Sequence, residues 1–292
     1  MITESLVRVP AEQEVDLFVA EVPGPQETPL LVIHGGPDWD HSYLRDPLEQ
    51  FTGTQRTLLP DLRGCGRSTR GLSLHDYTWH AAVNDLLGLL DVLGIGTAHV
   101  LGFSTGGAIA QRLTLAAPDR VRSLIVASSS VLPVPDDSLG EDLQAELEAR
   151  MAQGSTLGPD SANLTGAEYN RAEAILSAPA NVWRPEVLKD YLERLSKVRF
   201  SGDWTPGWKA GILGSSRPED SAQRLAALKI PILLLHGRQD LTFPASVAYA
   251  AAEMIPAARA VVLDEAGHMA HIDQPEAWMA ELQRFLDENP LI

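Results

Sequence analysis

HVLGFSTGGAIAQRL, residues His99–Leu113, runs from branched apolar residues through glycines into a helix-spaced pattern, with one serine at the corner. His99-Val100-Leu101 reads as the end of a buried strand. Ala108, Ile109, Leu113 and Leu115 recur at helical spacing, so Gly102 to Gly107 carries a strand-to-helix turn. Ser104 sits at its tip. A turn this tight brings the chain before and after the serine together, and glycine at Gly102 and Gly106 removes the β-carbons that would collide there. The hydroxyl is then held out of the sheet edge, with the Thr105 amide beside it at a helix N-terminus, where an anion is favoured. A glycine-rich turn capped by a serine has the same local pattern, so the rest of the chain must decide.

Working outward, Pro29–Gly36, Arg56–Asp61, Ala98–Phe103, Val121–Ser128, Ile230–Gly237 and Ala258–Glu265 are short, nearly continuous apolar runs, as expected of strands buried on both faces of a parallel sheet. Leu6–Val9 and Val15–Ala20 alternate instead, which predicts an antiparallel pair at a sheet edge. His75–Leu93, Thr105–Ala117, Ala245–Met254 and Pro275–Leu286 show apolar residues at three- and four-residue spacing. Alternating βα units predict an α/β, doubly wound, mostly parallel sheet. Residues 130–217 break the alternation with acidic helical stretches, prolines and Trp183, Trp204 and Trp208. They read as a helical cap inserted into a core of residues 1–129 and 218–292, over the sheet edge where ligands of open α/β sheets bind. The tryptophans are expected either to wall a pocket or to form the cap's own small core.

The 292 residues suffice for one large core with an insertion. Hydrophobic residues at 45 % and charged residues at 21 % are typical of a soluble globular chain. A net charge of −16 disfavours nucleic acid and anionic membrane surfaces as partners. No basic leader with an apolar core opens the chain and no apolar run approaches a membrane span, which predicts a cytoplasmic protein acting on a small molecule. The single Cys65 reads as a free structural thiol in a turn. Nothing in the sequence bears on oligomeric state.

A serine hydroxyl needs a base to take its proton, usually a histidine held by a carboxylate. Asp240 follows the run ILLLH and lies in a loop closed by Pro244. His268 follows the final run, ahead of the helix opened by Pro275. The order Ser104, Asp240, His268, with each residue on a loop at one sheet edge, favours these three as catalytic. His271 and His236 are rival bases, disfavoured because one lies nearer the helix and the other within a strand. Asp136, Asp137 and Asp264 are rival acids in poorer positions. HGGPDWD, His34–Asp40, follows the third strand, and its adjacent glycines let the Gly36 amide face the Thr105 amide as an oxyanion hole. His34 is expected to organise that loop by hydrogen bonding. The turn DLRGCGRS, Asp61–Ser68, is expected to fix the same loop through Asp61, Arg63 and Arg67.

From Pro29 to Leu286 the chain resembles the α/β-hydrolases. HGGP, DLRGCGRS, GFSTGG, GRQDLTFP and EAGHMAHIDQPE match, in order, that family's oxyanion, fourth-strand turn, nucleophile, acid and histidine segments. The resemblance implies an eight-stranded sheet with a lid, a covalent acyl-enzyme formed on Ser104, and neither cofactor nor metal. HGGP and DLRGCGRS are similar to proline iminopeptidases, which continue as HGGPG and DQRG and carry tryptophan after the serine; Asp38, Leu62 and Thr105 stand at those positions here. GFSTGG looks more like esterases, lactonases and cofactor-free perhydrolases. The expected activity is therefore hydrolysis of small to medium carboxylic esters or lactones. An aminopeptidase is the second expectation. A non-catalytic ligand receptor on the same scaffold is the third, disfavoured because it need not keep the three catalytic residues.

Overall fold

Branched apolar runs become strands wherever two helical layers cover them. The computed structural model describes residues 1–10, 13–25 and 28–290. Its strands are β1 (Thr3–Val9), β2 (Val15–Val22), β3 (Leu30–Ile33), β4 (Thr57–Pro60), β5 (Ala98–Phe103), β6 (Val121–Ala127), β7 (Ile232–Gly237) and β8 (Ala258–Leu263). They form one sheet in the order β1-β2-β4-β3-β5-β6-β7-β8. β2 is antiparallel to both neighbours, and β3 to β8 are parallel. β3, β5 and β7 are buried throughout. β8, at the edge, is only half-buried despite its apolar sequence.

Side chains alternate between the two faces, as the strand repeat demands. Leu31, Ile33, Val100, Leu124, Val126 and Leu234 pack in one layer, whereas Leu30, Val32, Leu101, Ile125, Leu233 and Leu235 pack in the other. The first layer is covered by α2 (Trp79–Val92), α3 (Thr105–Ala116), α8 (Ser221–Leu228) and α9 (Ala245–Met254); the second by α1 (Ser42–Leu48) and α11 (Pro275–Glu288), which follows the single turn α10 (Ala270–Asp273). α2 starts later than the periodicity suggests because Thr78 caps it, accepting the Ala81 amide at 3.0 Å. Among the described residues no helix is long and apolar enough to cross a membrane.

Between β6 and α8 lie α4 (Gly140–Gly154), α5 (Gly166–Asn181), α6 (Leu188–Lys197) and α7 (Thr205–Lys209). The three tryptophans of this segment have three different environments. Trp204 is buried against Trp79 and Tyr77, with ring centroids 5.2 and 5.6 Å away, and its Nε1 donates to the Arg63 carbonyl at 2.7 Å. It anchors the insertion to the sheet layer, which neither sequence expectation foresaw. Trp183 lies under the Arg150 guanidinium, 4.6 Å from the ring centroid. Trp208 is 48 % exposed and faces the cavity described next.

Candidate active site

β3, β5, β7 and β8 end at the same edge of the sheet, and the loops that leave them carry Gly36, Ser104, Asp240 and His268. The turn after β5 holds Ser104 at φ +53° and ψ −123°, a conformation costly for a residue with a β-carbon and kept only where the surroundings enforce it. They do so through close approach. A β-carbon on Gly102 would lie 2.2 Å from the Gly106 carbonyl oxygen, and one on Gly106 would lie 2.2 Å from the Ile33 carbonyl oxygen. The serine amide is meanwhile held by the Ala127 carbonyl of β6 at 3.0 Å.

Ser104 Oγ lies 3.1 Å from His268 Nε2, and His268 Nδ1 lies 3.0 Å from Asp240 Oδ2. With a proton on Nδ1 donated to the carboxylate, Nε2 is left to accept from the serine hydroxyl. Asp240 is fully buried, and its other oxygen accepts the amides of Thr242 at 2.8 Å and Phe243 at 2.9 Å. Burial alone drives this carboxyl upward, but the charge and hydrogen bond of His268, with the Phe243 amide, hold it below its ordinary value. The His268 ring is stacked by Phe243 and flanked by Phe103.

The rivals lie elsewhere. His271 is buried among Tyr43, Phe103 and Trp278, with Nε2 3.3 Å from the Tyr43 carbonyl oxygen. Burial pushes it down to about 3. His236 is buried in β7, its ring nitrogens have no hydrogen-bond partner among the described residues, and burial pushes it to about 4. Asp264 is exposed and paired with Arg238, and Asp136 and Asp137 are exposed.

The loop after β3 is clamped on every side. His34 Nδ1 donates to the Gly35 carbonyl at 2.7 Å while its Nε2 accepts the Leu62 amide at 3.1 Å, so the buried ring joins the loop to the turn after β4. The Gly35 amide donates to the Tyr43 hydroxyl at 2.8 Å, and the Gly36 carbonyl accepts the Thr105 hydroxyl. Gly36 itself sits at φ +122°, a region that only glycine enters freely. The Gly36 and Thr105 amides make no hydrogen bond with other protein groups among the described residues, which leaves both for an oxyanion.

The Asp61–Ser68 turn acts on this loop more narrowly than expected. Asp61 Oδ1 accepts the His41 amide at 3.1 Å and His41 Nδ1 at 2.6 Å. Arg63 turns away to pair with Asp85 of α2, both contacts at 2.6 Å, and the Arg67 side chain reaches Glu4 at 2.7 Å. Both guanidiniums therefore brace the sheet's flank instead of the loop. Cys65, in this turn, is a buried free thiol.

Two carboxylates to which the sequence assigned no role, Asp38 being marked only as a departure from HGGPG, organise the site. Asp273, buried in α10, accepts the Gly267 amide at 2.8 Å next to His268, together with the amides of Trp183 and Arg184 from the insertion. Asp38, buried two residues beyond Gly36, accepts donors from the insertion in the same manner. A lone loop or helix-end Asp is a weak sequence signal, because its partners in the inserted segment lie more than 80 residues away.

Above the serine lies a cavity of ≈ 500 Å³. Trp39, Tyr43, Phe103, Trp208 and Met269 give it apolar walls; Glu173 supplies its one carboxylate and Lys209 its one ammonium among the described residues lining it. Lys209 Nζ sits 3.4 Å from the centroid of the Tyr169 ring.

The model of the alpha/beta hydrolase fold family matches residues 28–275. The chain belongs to that family. It is 30 % identical over 273 residues to a proline iminopeptidase of Levilactobacillus brevis, covering 89 % of this chain and 88 % of that protein. It is 28 % identical over 275 residues to the rhodomycin D methylesterase DauP of Streptomyces sp. strain C5, covering 89 % and 91 %. A thermophilic esterase from Thermogutta terrifontis superposes with a TM-score of 0.72 at 24 % identity over 99 % of this chain and 98 % of that one. The protein is a hydrolase, with esterases and proline iminopeptidases among its relatives.

Proposed function

We propose that this hydrolase cleaves small to medium carboxylic esters or lactones through an acyl-enzyme on Ser104. The observation that carries the reading is the Ser104–His268–Asp240 chain of 3.1 and 3.0 Å contacts at the floor of the cavity. Ser104 Oγ attacks the carbonyl carbon as His268 Nε2 takes its proton. Asp240 orients the imidazole and stabilises the imidazolium that forms. The amides of Gly36 and Thr105 receive the oxyanion; in a comparable site, losing one such donor costs about 2.7–4 kcal/mol of transition-state stabilisation. The imidazolium then protonates the leaving alcohol, and water repeats the sequence to release the acid. In this reading helices α4 to α7 serve as the cap that shapes the pocket.

Aminopeptidase action on N-terminal proline is the second reading, favoured by the Glu173 carboxylate on the cavity wall. A buried substrate ammonium must be paired with negative charge. Here the single carboxylate shares its cavity with the Lys209 ammonium and accepts the Ser161 hydroxyl. Aromatic walls and a single carboxylate in the same cavity as an ammonium suit a neutral ester better.

A side-by-side panel of p-nitrophenyl esters, lactones and prolyl arylamide tests the ranking. Neutral esters or lactones are expected to show the higher kcat/KM, with Glu173→Gln leaving ester turnover within a few-fold of wild type. Faster prolyl arylamide cleavage that vanishes on N-acylation and on Glu173→Gln reverses it.

A further inference from the structure

Asp38 is fully buried at φ +70°, in the loop that carries Gly36. Its Oδ1 accepts the Ser201 hydroxyl at 2.7 Å and the amides of Asp203 and Trp204 at 2.9 and 3.0 Å. Its Oδ2 accepts the amide and hydroxyl of Thr205 at 2.8 and 2.6 Å and Asn170 Nδ2 at 3.2 Å. The Asp38 carbonyl accepts the Ser201 amide at 2.9 Å as well. Two residues on, Asp40 Oδ2 takes the Arg199 amide at 3.0 Å.

All the donors to the Asp38 carboxylate are neutral, and all lie in the inserted segment. A carboxylate out of water is tolerated only when its lone pairs are filled, and bonds to an ionised acceptor are roughly twice as strong as neutral ones. Losing a donor is therefore costly, and the arrangement is stiff. The stiffness reaches the reacting atoms by a short route, since Pro37 alone separates Asp38 from Gly36. It reaches the substrate by another, because Asn170 and Thr205 also line the cavity.

We propose that Asp38 is a positioning residue through which the inserted segment sets the oxyanion hole: seating of Ser201–Thr205 on its carboxylate holds the Gly36 amide in place, and the fit of a substrate against Asn170 and Thr205 is felt at Gly36. The proposal rests on the acyl-enzyme reading, which gives the Gly36 amide its task. It differs from a role in folding alone, because it acts on the rate at each competent serine.

The experiment is active-site titration by the p-nitrophenol burst, followed by steady-state kinetics on the same ester, for wild type, Asp38→Asn and Ser201→Ala. Asp38→Asn keeps the volume but turns an amide group toward donors. Its kcat per titrated serine is expected to fall by about 10²-fold, the scale set by a misplacement of roughly 1 Å, with KM within about threefold. Ser201→Ala removes one of several donors, outside the cavity lining, and is expected to fold with a lowered Tm and to lower kcat per titrated serine several-fold; it decides the matter if Asp38→Asn does not fold. A smaller burst with unchanged kcat per titrated serine in the folded variants shows a structural role only and overturns the proposal. Wild type that gives no burst and hydrolyses no ester overturns the acyl-enzyme reading, and the proposal with it.

Discussion

Thr105 donates its side-chain hydroxyl to the backbone carbonyl of Gly36, which ties into one unit the two residues whose amides we propose receive the oxyanion. The hydroxyl spans 69 positions of sequence and closes the gap between the loop after β3 and the start of α3. Thr105→Val keeps the branched shape and removes the donor. Its kcat on a p-nitrophenyl ester is expected to fall by about tenfold, since a drifting donor is lost mainly in the transition state. KM and Tm should stay near wild type, and Thr105→Ser should recover most of the rate. An undiminished kcat in Thr105→Val would show that Gly36 needs no such tether.

Ser104→Ala is expected to abolish turnover by several orders of magnitude, on the order of 10⁶ by comparison with another serine hydrolase, with the fold intact. His268→Ala should be about as damaging, because serine and base act as one unit. His271→Ala should behave differently. Its ring packs among Tyr43, Phe103 and Trp278 without reaching Ser104, so truncation leaves a cavity and costs about 2–4 kcal/mol of stability while most of the turnover survives. Kinetics and urea denaturation on the three variants check this. A dead but stable His271→Ala contradicts the assignment of the base.

Acid should destabilise the fold through histidines that are buried neutral. Burial holds His236 at about 4 and His271 at about 3, whereas the unfolded chain titrates near 6.5. Between those values the unfolded state binds protons that the folded state refuses, so stability falls as pH drops below about 6.5. Each such histidine contributes a slope of about 1.4 kcal/mol per pH unit. Asp240 acts in the same direction: its folded-state carboxyl is held low, and the stability it supplies above its unfolded value is lost as pH falls through the folded one. Urea midpoints measured from pH 7 to 4 should fall steeply for wild type. His271→Asn should be less stable at pH 7 but shallower in its pH dependence by one proton's worth. Equal slopes for the two proteins would mean that His271 is already protonated in the fold.

What the sequence determined by itself is whatever depends on neighbours along the chain. Apolar runs such as Ile232–Leu235 specify a doubly covered strand because burial on both faces removes the need for polar alternation. Gly102 and Gly106 specify the elbow because the two positions collide with each other and with the end of β3. The order Ser104, Asp240, His268 is legible because each residue follows a strand that ends at one edge. The tertiary structure alone decided how the insertion is held to these loops. Asp38 in HGGPDWD reads only as a departure from HGGPG, yet its donors Asn170 and Thr205 lie 132 and 167 positions away, and a hydrogen bond across such a separation leaves neither periodicity nor spacing in the sequence. The same holds for Trp204, whose partner Arg63 is 141 positions distant, and for Arg63 and Arg67, expected to fix the loop after β3 but turned toward Asp85 and Glu4. Local sterics and burial are written residue by residue; the partner of a buried charge is settled only when the folded layers bring the donors to it.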